Sequence, residues 1–195
     1  MDEEAGTHVV GIAGSLRDGS YTRASVDHAL RAAERTDATT ELVDLREYDL
    51  PPFDADRDAA GDSEELTRRV RTADAVVLGT PMYHGSYAGV LKNALDYCGF
   101  DEFEDTTVGL LAVAGGSFPV TALEHLRSVC RALDAWVLPH QAAVPKAGDA
   151  IEAGEFVDAD LEERVRTLGR RVVRYANIEP DPRTPEASEN VGASD

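Results

Sequence analysis

"GIAGSLRDGSYTR", Gly11–Arg23, follows directly on the apolar run His8-Val9-Val10 and leads into an amphipathic pattern. A β-type run closed by glycine, then hydroxyl residues, then helical spacing marks a strand-to-helix junction. The glycines at 11, 14 and 19 do not fit G-x-G-x-x-G, and no G-K-[ST] follows, so both well-known nucleotide loops are excluded. What remains is Ser15, Arg17, Ser20, Tyr21 and Thr22 leading into a helix N-terminus. Free backbone N–H groups and the helix dipole suit that position to a phosphate. The hydroxyls would add neutral hydrogen bonds, and Arg17 a charge-assisted one that can be two-pronged. The same residues also fit a plain polar turn, with Ser20 as helix cap and Arg17 in solvent.

Outward from this junction the chain keeps alternating. Thr39–Leu45, Ala73–Pro81, Thr106–Gly116 and the short run "AWVLP" read as four further strands. Helical patterns run from about Tyr21 to Arg35, Asp62 to Thr72, Ala88 to Tyr97, Pro119 to Leu133 and Asp158 to Tyr175. Asp62 is expected to cap the second helix. Strands apolar on both faces and separated by single helices predict an α/β protein, a three-layer, doubly wound, five-stranded parallel sheet. Residues 1–178 read as one domain, and 179–195, rich in Pro, Ser, Asp and Glu, as an acidic, disordered C-terminal tail.

Of 195 residues, 37 are acidic and 19 basic, a net charge of −18, and only Lys92 and Lys146 are lysines. Such acidity argues against partners of nucleic acid or anionic membrane, which need basic patches. It matches the composition of halophilic proteins, for which concentrated salt screens surface repulsion. No apolar run is long enough for a membrane span and the acidic start "MDEEAGTH" is no signal peptide, so a cytoplasmic location is expected. Cys98 and Cys130 lack a partner at metal-ligand spacing and read as buried, reduced thiols; no metal site is expected.

Ligands of doubly wound sheets bind at the carboxyl ends of the strands. After the third strand comes "TPMYHGSYAGVLKNALDYCG", whose Met82, Tyr83, His84 and Tyr87, clustered in a glycine-containing loop, suit a flat conjugated ring. The tyrosines equally suit packing on helices or on another subunit. After the fourth strand, Gly115 and Gly116 allow close backbone approach, and Ser117 is placed to cap the helix that Pro119 opens.

G-S-x-R-x-x-S at Gly14, Ser15, Arg17 and Ser20 is the first of two motifs shared with one known family. The second is P-x-Y-x-x-S-x-x-G-x-L-K-N at Pro81, Tyr83, Ser86, Gly89, Leu91, Lys92 and Asn93. With "YDLPPFD" after strand two, these make residues 8–176 resemble the NADPH-dependent FMN reductase family of flavodoxin-like proteins, which includes quinone, azo-dye and chromate reductases. The resemblance implies strand order 2-1-3-4-5 and non-covalent FMN, with NADPH or NADH as co-substrate. It implies that Ser15, Arg17, Ser20 and Thr22 hold the phosphate and that Tyr21 donates its backbone N–H. Pro81 to Ser86 would then line the ring edge, and Gly115, Gly116 and Ser117 close the other side.

Departures stand at Met82, where many members have Glu, at His84, where Asn is common, at Ala88, where Pro is usual, and at Thr22, where Asn is common. The implied function is an NAD(P)H-dependent oxidoreductase passing hydride through FMN to a small-molecule electron acceptor such as a quinone or flavin. The implied assembly is a homodimer or homotetramer. No catalytic side chain is required, although His84 is placed to serve as a proton donor. Lys92 and Asn93 are assigned to structure or subunit contact. Two alternatives stay open: a flavodoxin-like electron carrier, and a flavin-free nucleotide-binding domain using Asp44 for a ribose.

Overall fold

Strand β1, His8–Ala13, is the pivot of the fold, because Val9 to Ala13 are apolar and buried on both sides. Val9 and Ala13 face one core, Val10 and Ile12 the other, as the two-residue period of a strand demands. The computed structural model describes residues 6–57 and 59–176. Helix α1, Tyr21–Glu34, follows β1 and returns the chain to β2, Thr39–Asp44, which pairs parallel with β1. A short 3-10 turn, Leu45–Glu47, opens the long connection to α2, Ser63–Arg71.

Strand β3, Ala75–Tyr83, lies on the other side of β1 and runs on into an antiparallel hairpin with β4, Ser86–Tyr87. Helices α3, Gly89–Asp96, and α4, Phe100–Phe103, precede β5, Thr107–Val113. Next come α5, Val120–Ala132, β6, Trp136–Val137, and β7, Ala142–Val144. After α6, Ala147–Ala150, a small hairpin of β8, Ile151–Glu152, and β9, Glu155–Phe156, leads to α7, Ala159–Arg174.

The sheet order is β2-β1-β3-β5, with β6 and β7 both parallel to β5 at the far edge. This is the expected doubly wound order, with its fifth strand in two pieces. Helices α1 and α7 pack the core on one face, and α2, α3 and α5 the core on the other. Close approach between layers depends on missing side chains. A Cβ at Gly169 of α7 would stand 1.9 Å from the Ala29 carbonyl oxygen of α1, and one at Gly79 would stand 2.3 Å from Val26. Large substitutions there force backbone apart, which costs about 1–3 kcal/mol or more.

Several local expectations need correction. "AWVLP" is a strand only at Trp136–Val137; Pro139 cannot donate to a ladder, and pairing resumes three residues later at Ala142. Residues 140–157, unassigned from sequence, carry β7, α6 and the β8–β9 hairpin. Asp62 sits at the N-cap of α2 but makes no capping bond; its carboxylate instead accepts the Asp49 N–H at 2.8 Å. Ser117 does not cap α5, which starts from Pro119 without a side-chain cap. Cys98 and Cys130 are free and buried, and burial pushes both thiols up to about 12. The tail at 179–195 lies outside the described residues.

Candidate functional site

The carboxyl ends of β1, β3 and β5 open on one crevice of about 100 Å³. Ser15, Arg17, Ser20, Tyr21 and Thr22 form one end of it, and Pro81, Met82 and Tyr83 the adjoining wall. Val113, Ala114, Gly115 and Ala147 close the other side. The first loop is positioned from below by a backbone bond from the Gly14 N–H to the Gly79 carbonyl at 2.8 Å. The Ser20 hydroxyl accepts the Arg23 N–H at 3.1 Å and so caps α1, which fixes where the helix and its dipole begin.

Ser15 and Thr22 are largely buried residues that line the crevice. The Thr22 methyl lies on the Gly79 side, 3.4 Å from where a Cβ there would stand. Hydroxyl residues that line a crevice beside a helix N-terminus can donate to acceptor atoms of a ligand there. Arg17 is exposed and has no ion-pair partner among the described residues, unlike its neighbours Arg23 and Arg46. This donor set fits the phosphate of FMN.

Arg23 and Arg46 are both occupied by Asp44, the last residue of β2. Arg23 Nε donates to its Oδ2 at 3.0 Å, and Arg46 Nε to its Oδ1 and Oδ2 at 3.0 Å. Burial pushes the Asp44 carboxyl up, but the Arg46 hydrogen bonds and the charges of Arg46 and Arg23 outweigh it and hold the group below its ordinary value. Asp44 is thus buried and saturated, and the alternative that gives it a ribose fails.

The second loop is a hairpin. His84 and Gly85 both take positive φ, 51° and 83°, and turn β3 directly into β4. The hairpin is stitched to α5: the Thr121 hydroxyl donates to Met82 Sδ at 3.5 Å, and Ser86 Oγ meets His125 Nδ1 at 2.9 Å. His84, Gly85 and Ser86 therefore lie outside the lining of the crevice, with His84 exposed at the turn. Gly116 and Ser117 also fall outside that lining, and a Cβ at Gly115 or Gly116 would meet no atom within 4 Å.

Sequence reasoning missed Ala147 and Thr80. Ala147 reaches the wall because its N–H donates to the Ala114 carbonyl at 3.0 Å, while the Lys146 N–H bonds the Gly116 carbonyl at 2.9 Å. Buried Thr80 accepts the Ala88 N–H at 2.9 Å and so ties the start of α3 to β3. Asn93 is structural: its Nδ2 donates to the Leu50 and Pro51 carbonyls at 3.2 and 2.9 Å, and its Oδ1 accepts the Phe53 N–H at 2.8 Å. Lys92 pairs with Asp96. Among the described residues no cluster of His, Cys, Asp and Glu is arranged to hold a metal, and no helix is long and apolar enough to cross a membrane.

Strand order and crevice together define a flavodoxin-like α/β protein. A solved structure of an NADH:FMN oxidoreductase (EMOB) in its apo form has the same fold, with a TM-score of 0.73 and 22% identity over 89% of this chain and 92% of that one. FerB, a flavoenzyme NAD(P)H:(acceptor) oxidoreductase from Paracoccus denitrificans, is similar at a TM-score of 0.71 and 20% identity, covering 87% of this chain and 96% of that one. In sequence the chain is 33% identical over 178 residues to an FMN-dependent NADPH-azoreductase of Staphylococcus aureus, covering 87% of this chain and 95% of that protein. Residues 7–149 match the family described as NADPH-dependent FMN reductase. The chain belongs to that family and is a flavin-dependent oxidoreductase, with FMN as cofactor and a reduced nicotinamide as co-substrate.

Proposed function

We propose that the crevice holds FMN by its phosphate end and reduces a small aromatic acceptor, such as a quinone, a free flavin or an azo compound, beside Tyr83. The observation that carries this reading is the meeting, in one crevice, of the Ser15 and Thr22 hydroxyl residues with Arg17, which has no ion-pair partner among the described residues, at the start of a 14-residue helix. Bound FMN would relay a hydride from the nicotinamide to the acceptor. The chain's own work is to bind and orient. Ser15, Arg17, Ser20 and Thr22, with the Tyr21 N–H, would hold the phosphate, and Pro81, Met82, Tyr83 and Gly115 would border the ring. His84 is not in the crevice lining, and this reading invokes no side-chain proton donor.

A crevice of about 100 Å³ cannot enclose a flavin, since sites for ligands of that size run to about 300–1,000 Å³. Part of a bound flavin would therefore be left uncovered by this crevice. Tyr83, in the crevice lining, is 50% exposed, and Phe118, just before α5, is 78% exposed. Exposed aromatics of this kind favour a second copy of the chain as the remaining cover, in a homodimer or homotetramer. The acidic surface supports a cytoplasm rich in salt: raising KCl from about 0.1 M to about 2 M screens the repulsion and should raise Tm. A Tm that falls or stays level in a thermal scan would remove the halophilic reading.

The visible spectrum of the full chain, purified in concentrated salt, tests the central claim. A flavin band that bleaches on anaerobic addition of NADPH or NADH is expected. A colourless protein that takes up no added FMN would sink the proposal.

A further inference from the structure

Arg46 lies outside both sequence motifs, yet it reaches the loop that the first motif forms. Its Nη1 donates to the Asp18 carbonyl at 3.3 Å and approaches the Arg17 carbonyl at 3.5 Å, with the Asp18 carboxylate at 3.8 Å. The rest of its guanidinium is fixed on Asp44, through Nε and Nη2. Asp44 pairs in register with Ala13, so this anchor stands where the chain leaves β1 for the loop. The same carboxylate takes Arg23, in the first turn of α1, at 3.0 Å. One buried carboxylate therefore fastens both ends of the loop: its outer turn through Arg46 and the helix it enters through Arg23.

We propose that Arg46, held by Asp44, is a positioning residue that sets the Ser15–Ser20 loop for an anionic group by gripping the carbonyls of Arg17 and Asp18. Drawing those carbonyls toward Arg46 leaves the opposite edges of the loop, its N–H groups, turned to the crevice. The pairing also commits two nearby cations to Asp44, and Arg17 is the one cation among the described residues that line the crevice. Lysine would not replace Arg46, because a single ammonium cannot hold a carboxylate by a planar fork and span to a carbonyl at once. The inference rests on the phosphate reading proposed above and adds the residue that gives the loop its shape.

Riboflavin lacks the phosphate of FMN, so the ratio of the two affinities isolates the loop. The full chain, stripped of flavin, is titrated with FMN and with riboflavin by quenching of flavin fluorescence. Arg46→Gln should lower the FMN-to-riboflavin affinity ratio by about tenfold, chiefly through FMN. Arg46→Lys should lower it as well, and provides the same measurement if the glutamine variant does not fold. An unchanged ratio, or an equal loss of both affinities, would overturn the proposal by reducing Arg46 to general structural support. Arg17→Ala separates the two claims. If Arg17→Ala lowers the ratio and neither Arg46 variant does, the positioning role alone falls. A ratio unmoved by Arg17→Ala removes the phosphate site and this role with it.

Discussion

The two ends of the parallel sheet differ in the opposite sense from their size. At the amino end of β5, Trp136, Val137, Leu138, Pro139, His140, Arg171 and Tyr175 line a cavity of about 310 Å³. At the carboxyl end the crevice is about 100 Å³. The larger cavity is mostly aromatic and aliphatic, and its Trp136 indole N–H is already taken by Asp105 at 3.1 Å. The smaller one is lined by hydroxyl residues and by Arg17, a cation with no ion-pair partner among the described residues. A lining of hydroxyls and a cation, rather than volume, marks the working end, as the switch in strand order next to β1 also requires.

The contrast breaks first at Arg17. Arg17→Ala should weaken FMN binding by about ten- to a hundredfold with Tm unchanged, the worth of one charge-assisted hydrogen bond. Unchanged FMN affinity by fluorescence titration would put the two ends on an equal footing. Asp44→Asn comes next and reads the anchor through pH. The Asp44 carboxyl is held below its ordinary value, so its contribution to stability is present above the unfolded value of about 3.9 and is lost as pH falls through the folded one. The Tm difference between wild type and Asp44→Asn should be constant above about pH 5 and narrow below about pH 4. A difference that changes between pH 6 and 8 would point to another group. Trp136→Ala should have the smallest effect on the site: FMN affinity within about twofold of wild type, although stability falls by about 1 kcal/mol. A large loss of FMN affinity there would show the apolar end to be coupled to the crevice.

The frame of the molecule was legible because fully buried strands leave an unmistakable trace. Runs such as Ala75–Leu78 and Val108–Ala112 are apolar on both faces, and glycines close or thin them where helices press on the sheet. The convergence of Ser15 to Thr22 on one crevice was legible for a similar local reason, since they are close in sequence and need only one turn to meet. The shape of the loop after β3 was less legible. "YHGSY" has none of the usual Asn-Gly or Asp-Gly turn pairs, yet His84 accepts positive φ and makes a two-residue hairpin that carries Gly85 and Ser86 out of the crevice lining. The far edge failed for want of local signal: Ala142–Val144 has weak strand preference and pairs only because β5 offers it an open edge. Ala147 and Arg46 matter through contacts with Ala114 and Asp18, far away in sequence, and no pattern of spacing announces such contacts.

Asn93 has a consequence for timing. With three hydrogen bonds, and with Tyr97 donating to the Pro51 carbonyl at 2.8 Å, α3 rivets the Leu50–Phe53 segment in place. The entropy of closing the long β2–α2 connection is then spent when the protein folds, before any cofactor arrives. Binding at the crevice next to α3 begins from a surround already set, so the free energy of the encounter goes into affinity instead of ordering a loop.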